Sequence, residues 1–273
     1  MNFGNMPRDG GSLIIEADEY EDFLRDEPQA APFIRPLLGA EEFLHGLKRY
    51  CIWLVNADIA RLRNCPKILD RVEKCRQMRL ASKAAATRKF AATPGLFCQI
   101  TQPEGKDYIL VPCVSSEKRE YVPIGFMTAD TIVTNLVQII PDATLYHFGI
   151  LSSRIHNAFI RASAGRLKSD YRYSKDIVYN NFVWPDLCDS ASLREKIGSA
   201  AQAVLDARAA QPTATLADLY DPRMMPPDLL KAHKALDALV DKAYGLKPNC
   251  SDADRVALLF RLYADAVKKR DAQ

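Results

Sequence analysis

The composition of the chain changes abruptly at Trp184 and Pro185, and this change limits the folds that the chain can adopt. Upstream, runs rich in β-branched and aromatic residues alternate with helical patterns. These strand-like runs are KRYCIWLVN (Lys48 to Asn56), DYILVPCVS (Asp107 to Ser115) and YVPIGFM (Tyr121 to Met127). Downstream, alanine-rich segments repeat apolar residues every three or four positions. We therefore predict an α+β protein, with a mixed-sheet domain and flanking helices over residues 1–183 and a small all-helical domain over residues 184–273.

Local patterns predict two helices and one loop. Pro66 opens a predicted helix that runs to about Ser82, because a proline in the first turn loses no hydrogen bond. The alanine-containing basic segment that follows, to Phe90, is expected to be a loop. Leu145 to Ala162 repeats apolar residues with helical spacing and predicts one helix.

The net charge of +3 is unevenly distributed. Residues 1–57 carry five Lys and Arg against ten Asp and Glu, a net of −5, whereas residues 58–90 carry ten against three, a net of +7. Residues 154–175 add six against one, a net of +5. Two basic segments that converge on one surface would attract a polyanion, and the alternative is two separate solvated faces.

Several classes of protein are not expected from this sequence. It has no apolar run of membrane-spanning length and no secretory signal at its start, which favours a cytoplasmic protein without membrane contact. Its seven cysteines are scattered, without paired metal-ligand spacing. Phosphate-loop, nucleophile-elbow and metalloprotease motifs are absent, so we expect no catalytic residue, metal or cofactor in this chain.

The predicted helix after Pro66 carries a basic face and an apolar face. Lys67, Arg71 and Lys74 share the basic side, while Arg76 and Arg79 fall on or beside the apolar side and either extend past the core or contact a ligand. Candidate contacts to a DNA backbone from residues 58–90 are Lys67, Arg71, Lys74, Lys83, Arg88 and Lys89.

The second basic segment divides into an exposed half and a structural half. Its candidate backbone contacts are Arg166, Lys168, Ser169, Arg172 and Tyr173, whereas Tyr171 alternates with them and is predicted to pack inward. Phe182 and Trp184 are expected in the core. Asn180 and Asn181 fit either a turn or a DNA contact, and we include both among the candidates.

Five blocks of the sequence, taken in order, carry a family resemblance. They are FGNMPRDGG (Phe3 to Gly11), FIRPLLGAEEFLHGLKRYCIWL (Phe33 to Leu54), VSSEKREYVPIGF (Val114 to Phe126), GRLKSDYRYSKDIVYNNFVWP (Gly165 to Pro185) and LYDPRMMPPDLLKAHKALDALVDKAYG (Leu219 to Gly245). Together they resemble the C-terminal part of MmeI-like DNA methyltransferases, the single-chain type II restriction-modification enzymes and their methylase-only relatives.

The resemblance implies a fragment that recognises DNA for a catalytic domain it does not contain. In that family an adenine-N6 methyltransferase domain, which uses S-adenosylmethionine, precedes a target recognition domain and a helical C-terminal domain. The only Pro-Pro here belongs to MMPPD and not to the family's catalytic Asn-Pro-Pro-aromatic motif. The expected partners are double-stranded DNA and the upstream methyltransferase domain.

The segment SSEKRE offers the candidate base-reading residues Glu117, Lys118 and Arg119. A carboxylate accepts a hydrogen bond from the cytosine amino group, and Arg or Lys donates to guanine O6 and N7. The resemblance implies that residues in and beside this segment determine base-pair specificity. The alternative for these residues is a charged hairpin turn, and the alternative for the chain is an interaction module whose helical tail docks a protein partner or the rest of its own chain.

Overall fold

The computed structural model describes residues 1–187 and 190–271 and divides them into two compact units. The amino-terminal unit comprises residues 2–106 and 127–137, and the carboxyl-terminal unit comprises residues 107–126 and those from 138 onward, together with Met1. The boundary predicted at residue 184 lies inside the carboxyl-terminal unit and remains a prediction about the sequence domains.

Strands and short helices alternate through the first two thirds of the chain, and longer helices follow. The strands are β1 (Asn2–Phe3), β2 (Ile14–Glu16), β3 (Ile34–Leu38), β4 (Arg49–Ile52), β5 (Tyr108–Pro112), β6 (Val114–Ser115), β7 (Gly125–Met127), β8 (Ile132–Val133), β9 (Val137–Pro141), β10 (Gly165–Leu167) and β11 (Asp170–Arg172). The helices are α1 (Ala17–Asp26), α2 (Ala40–His45), α3 (Ile59–Leu62), α4 (Pro66–Leu80), α5 (Ala85–Lys89), α6 (Leu145–Ser152), α7 (Arg154–Ser163), α8 (Ala191–Ala209), α9 (Leu216–Leu219), α10 (Pro227–Ala243) and α11 (Asp252–Asp271). The α+β prediction is confirmed.

The amino-terminal unit is built on a four-stranded sheet in the order β2-β4-β3-β8. β4 pairs antiparallel with β2 and β3, and β3 pairs parallel with β8. The apolar side chains of this sheet, such as Ile15 and Ile52, form one core with Ile68 and Cys75 of α4. That packing fixes α4 beside the sheet, because its apolar stripe has no other place to bury.

The predicted helix from Pro66 is confirmed as α4, but the prediction of a loop up to Phe90 is wrong. Residues 85–89 form α5, and a 3₁₀ turn follows over Phe90–Ala92. Alanine is the best helix former, and the buried Thr87 anchors the short helix. The segment is therefore ordered by local propensity and one buried contact.

In the carboxyl-terminal unit, β9, β5 and β7 lie side by side, and a three-stranded sheet has the order β10-β11-β6. The prediction of a single helix from Leu145 to Ala162 is wrong, because the chain is extended at Ser153 (φ −73°, ψ 161°) between α6 and α7. The Ser153 hydroxyl donates to the Ile150 carbonyl (2.6 Å), and the Asp237 carboxylate accepts from the Arg154 N–H (2.6 Å). These two bonds satisfy backbone groups at the break.

The helices after residue 190 pack onto the same core as α6 and α7. α10 ends before Gly245, whose φ of +70° suits glycine. His233 is fully buried on α10, stacks on Tyr121 at 4.1 Å and shares a hydrogen bond with the Tyr220 hydroxyl. His233 is therefore a core histidine, and Phe182 is buried in the same core, as predicted.

Candidate nucleic-acid interface

A turn and a hairpin bring the candidate base-reading residues and part of the second basic segment together. The turn follows β6 and comprises residues 116–120, and the hairpin comprises β10, β11 and the two residues between them. β11 pairs antiparallel with β10 and with β6, so that Tyr171 lies opposite both Arg166 and Ser115. We call residues 116–120 and 165–172 the turn–hairpin cluster.

An ion pair joins the two parts of the turn–hairpin cluster. Arg166 Nη1 lies 3.3 Å from Glu117 Oε2 and donates to the Ser169 carbonyl at 2.6 Å. The Arg166 guanidinium carbon lies 3.9 Å from the centre of the Tyr171 ring, a distance typical of a cation–π contact. The backbone N–H of Glu117 also donates to Asp170 Oδ1 (3.4 Å). Both strands of the hairpin therefore hold the turn at Glu117.

The outer face of the hairpin carries exposed cations. Because successive residues of a strand point to opposite faces, Arg172 lies on the face opposite to Tyr171 and is exposed. Lys168 and Ser169 form the exposed tip, where Lys168 has a left-handed φ of +56°. Lys118 on the turn is also exposed. These side chains leave cationic groups in solvent, where a polyanion can reach them.

The structure removes Tyr173 from the candidate DNA contacts. Its side chain is only 4% exposed, and its hydroxyl lies 3.1 Å from His156 Nε2. Burial raises the pKa of the Tyr173 hydroxyl well above its ordinary value. The same two-residue period that correctly predicts Tyr171 to point inward also places Tyr173 inward, so the sequence contained the signal for this correction.

The two asparagines of the candidate set take different positions. Asn181 donates from its amide to the carbonyls of Asp176 and Ile177, both at 2.9 Å, and so closes the turn over Lys175–Tyr179. Asn180 is exposed and makes a long contact of 3.4 Å with the Asp176 carboxylate. The turn-forming alternative therefore describes Asn181, while the side chain of Asn180 faces solvent.

One face of α7 supports the turn from beneath, which the sequence did not reveal. Arg161 donates through Nη2 to the carbonyls of Arg119 and Glu120, and the Asn157 side chain accepts from the Val122 N–H at 2.8 Å. Arg154 forms ion pairs with Glu120 and with Asp252 of α11. These residues at positions 154, 157 and 161 share a helical face, so α7 fixes the backbone of residues 119–122.

A groove of about 520 Å³ opens beside the turn and reaches the connection between α9 and α10. Lys118, Arg119, Asp221 and Arg223 line it. The Arg223 side chain and backbone N–H hydrogen-bond to the Asp221 carboxylate and lower its pKa, and Arg119 lowers it further electrostatically. Arg223 is a cation near the turn that the sequence reasoning missed.

The basic face of α4 lies against carboxylates of its own unit. Lys67 pairs with Asp26 (2.5 Å), and Lys74 pairs with Asp70 (2.7 Å). Arg71 pairs with Glu19 (2.9 Å) and also donates to the Ile14 carbonyl (2.6 Å). Two cations of this basic face therefore pair with carboxylates of α1, and Lys74 pairs within α4 itself.

Arg79 is fully buried and uses all five N–H groups within the amino-terminal unit. Its guanidinium donates to five backbone carbonyls at 2.8 to 3.1 Å, those of Pro7, Arg8, Phe90, Thr93 and Leu96. An arginine has five donors, so this set satisfies it completely. Arg79 therefore ties α4 to three other segments and does not contact a ligand.

Exposed cations of the amino-terminal unit occur on and beside α5. Lys83 and Lys89 are exposed, and Arg88 is exposed while its Nη1 donates to the carbonyls of Ser82 and Lys83 at 2.8 and 2.9 Å. α5 thus presents Arg88 and Lys89 from a short ordered element, and Lys83 lies just before it. The convergence of these cations with those of the turn–hairpin cluster remains a prediction.

Two family models match the chain. The model described as MmeI, target recognition domain, matches residues 1–186, and the model described as MmeI, C-terminal domain, matches residues 190–269. The chain belongs to the MmeI family. The resemblance drawn from the five sequence blocks is confirmed. The turn–hairpin cluster and the exposed cations of α5 fall within the MmeI target recognition match, whereas Asp221 and Arg223 fall within the MmeI C-terminal match.

Individual MmeI relatives agree with the family match. A protein of Bacillus subtilis (strain 168) named DNA methyltransferase A is 40% identical over 269 residues, which is 98% of this chain. A solved structure of the Type IIL restriction-modification enzyme MmeI in complex with DNA matches 98% of this chain with a TM-score of 0.92 and 41% identity. The chain spans 30% of the length of the Bacillus protein and 35% of the solved MmeI chain.

Among residues 1–187 and 190–271, no group of three or more His, Cys, Asp or Glu side chains could hold a metal ion, and Cys188 lies outside that part of the chain. None of the helices within the same ranges combines the length and the apolar character that crossing a membrane requires.

Proposed function

We propose that this chain is the DNA-reading part of a site-specific adenine-N6 methyltransferase. It recognises the target sequence in double-stranded DNA and positions it for an S-adenosylmethionine-dependent catalytic domain in a longer protein. Residues 1–183 act as the target recognition domain, and residues 184–273 act as its helical support. The MmeI structure in complex with DNA, which this chain resembles over 98% of its length, supports this proposal.

The turn–hairpin cluster is the observation that carries the proposal. Specific binding to DNA requires cations that contact phosphates and a few side chains that contact base edges. Here the exposed Glu117 and Lys118 and the adjoining Arg119 stand on a turn that α7 supports, beside the exposed cations Lys168 and Arg172. A rigid turn that presents an acceptor next to donors suits recognition of a C·G pair in the major groove.

The phosphate contacts are assigned to those candidate cations that are exposed and have no carboxylate partner in the described contacts. These are Lys83, Arg88 and Lys89 in the amino-terminal unit and Lys168 and Arg172 in the carboxyl-terminal unit. Lys67, Arg71 and Lys74 are each compensated by a carboxylate, so they contribute less to the attraction of a polyanion.

A titration of duplex binding against salt tests the proposed function. The logarithm of the binding constant should fall linearly with the logarithm of salt, by about 0.9 for each phosphate neutralised. Substitution of Lys168→Gln with Arg172→Gln should weaken binding and reduce that slope by about 2. The matched control is Lys268→Gln with Lys269→Gln, which removes the same charge from the exposed end of α11. It should leave the affinity and the salt slope unchanged. Binding without salt dependence would refute the proposal.

The alternative of an interaction module has one observation in its favour. Phe260 and Tyr263 of α11 are large aromatic side chains that are 51% and 41% exposed. Such residues would suit contact with the upstream methyltransferase domain of the longer protein, which we propose as the second partner. Substitution of Phe260→Ser with Tyr263→Ser should leave duplex binding intact if these aromatics serve that contact alone.

A further inference from the structure

Arg166 is held on three sides by residues of its own hairpin and by the turn. Its Nη1 reaches both the Glu117 carboxylate (3.3 Å) and the Ser169 carbonyl (2.6 Å), and its guanidinium carbon lies 3.9 Å from the centre of the buried Tyr171 ring. A cation that binds a mobile phosphate backbone usually extends into solvent. Arg166 instead folds back along the sheet towards Glu117.

Strand alternation separates Arg166 from Arg172. Arg166 lies opposite Tyr171 and shares its face, whereas Arg172 lies opposite Gly165 and Val114 on the other face. The two arginines therefore cannot contact the same run of phosphates in the same way. Only Arg166 is in reach of the Glu117 carboxylate in the described contacts.

A carboxylate that reads a base needs a neighbouring cation. Phosphate charges repel Glu117 as the duplex approaches, and the cost rises when water is excluded from the contact. A guanidinium at 3.3 Å offsets that repulsion and also limits the rotamers of the glutamate. With side chains 46% and 44% exposed, the pair adds little to the stability of the free protein, so its value lies in the complex.

We propose that Arg166 is a positioning residue for base reading by Glu117 and not a phosphate contact. It fixes the carboxylate and offsets its charge, so that a cytosine amino group can replace water at the free carboxylate oxygen. This inference rests on the proposed function, because it assigns Arg166 a part in the recognition step of that same site.

A double-mutant cycle tests whether Arg166 acts through Glu117. The 273-residue chain is first used to select its preferred sequence from a pool of randomised duplexes. Affinities are then measured for that duplex and for duplexes changed at single base pairs, with the wild type, Glu117→Gln, Arg166→Gln and the double variant. Arg172→Gln is the matched control on the same hairpin, and thermal unfolding checks that each variant is folded.

The expected result is a loss of discrimination that is not additive. Arg166→Gln should reduce the preference at the pair read by Glu117 about tenfold, which corresponds to one good base contact. In the Glu117→Gln background the same change should add nothing at that pair. Arg166→Lys, which keeps the charge, should restore part of the preference. Arg172→Gln should weaken binding to every duplex equally and reduce the salt slope by about 0.9.

Two results would overturn the inference, and they can be told apart. If Arg166→Gln weakens all duplexes equally and lowers the salt slope while Glu117→Gln still changes one base pair, Arg166 is a phosphate contact and the proposed function stands. If Glu117→Gln leaves every preference unchanged, the assignment of Glu117 in the proposed function fails, and the positioning role of Arg166 fails with it.

Discussion

Single buried polar residues contribute strongly to the stability of each unit. Arg79 is the clearest case in the amino-terminal unit, because a fully buried cation here has backbone carbonyls for partners and no carboxylate among its described contacts. Its removal would leave up to five carbonyls without donors, and an unsatisfied buried group costs about 1–3 kcal/mol.

We predict that Arg79→Met lowers the free energy of unfolding of the amino-terminal unit by at least about 3 kcal/mol. Arg76→Met is the matched control on α4, since Arg76 makes one exposed ion pair with Glu73, and it should lower the free energy of unfolding far less than Arg79→Met. Urea unfolding can be followed by Trp53, which packs on Phe97 in this unit, once Trp184→Phe removes the other tryptophan. Equal losses for both variants would contradict the structural role of Arg79.

Asp237 has the corresponding importance in the carboxyl-terminal unit, and its effect depends on pH. The carboxylate accepts from the Tyr121 hydroxyl (2.7 Å) and the Arg154 N–H (2.6 Å), yet burial raises its pKa from 3.8 to about 6. Between these values the folded protein keeps a proton that the unfolded chain releases. The contribution of Asp237 to stability therefore falls as pH rises from about 4 to about 6.

We predict that Asp237→Asn removes this loss of stability. Relative to the wild type, the free energy of unfolding of the variant should rise by about 2 kcal/mol between pH 4.5 and pH 8. Burial lowers the pKa of His156 and His233 to about 3, which makes stability fall with acid below pH 6.5 in both proteins alike. Subtracting the two unfolding curves cancels that contribution. A difference that stays constant with pH would show that Asp237 is ionised throughout the range.

At the scale of elements, a basic sequence does not by itself show which cations are available. α4 and α5 are both basic, but Lys67 and Arg71 of α4 pair with carboxylates of α1, while Lys89 of α5 and Lys83 just before it are exposed. The pairings of Lys67 with Asp26 and of Arg71 with Glu19 could not be predicted from the sequence, because these carboxylates lie about forty to fifty residues away.

We predict that α5 contributes more than α4 to the attraction of DNA. Lys83→Gln with Lys89→Gln should reduce the salt slope of duplex binding by up to about 2, because each lost phosphate contact removes about 0.9. Lys67→Gln with Lys74→Gln removes the same formal charge but should change the slope by less than about 0.5. A mobility-shift titration at four salt concentrations distinguishes the two double variants. Equal changes in their salt slopes would contradict the assignment.

The sequence predicted elements best where one local rule decided the outcome. Pro66 marks the start of α4, because proline restricts the backbone to angles that suit the first turn of a helix. The break at Ser153 was missed because it depends on Asp237, a residue more than eighty positions away. Tyr173 was misassigned although the alternation that turned Tyr171 inward applied to it equally.

For the whole molecule, the family and the place of the candidate site followed from the sequence, but the internal geometry of the site did not. The turn at Glu117 was predicted from residue chemistry and from the resemblance. Its ion pair with Arg166 and its support by Arg161 required the antiparallel register of β6, β10 and β11 and the packing of α7. Contacts across forty or more residues come from the tertiary fold, which local patterns do not encode.

The central claim is that the turn containing Glu117 and Arg119 chooses the DNA sequence. The most direct test reverses the charge order with Glu117→Lys and Arg119→Asp and repeats the selection from randomised duplexes. The account predicts that the preferred sequence changes at one base pair, where a donor now replaces the acceptor, and stays the same at the other positions. An unchanged preferred sequence, whether bound as tightly or more weakly, would contradict it.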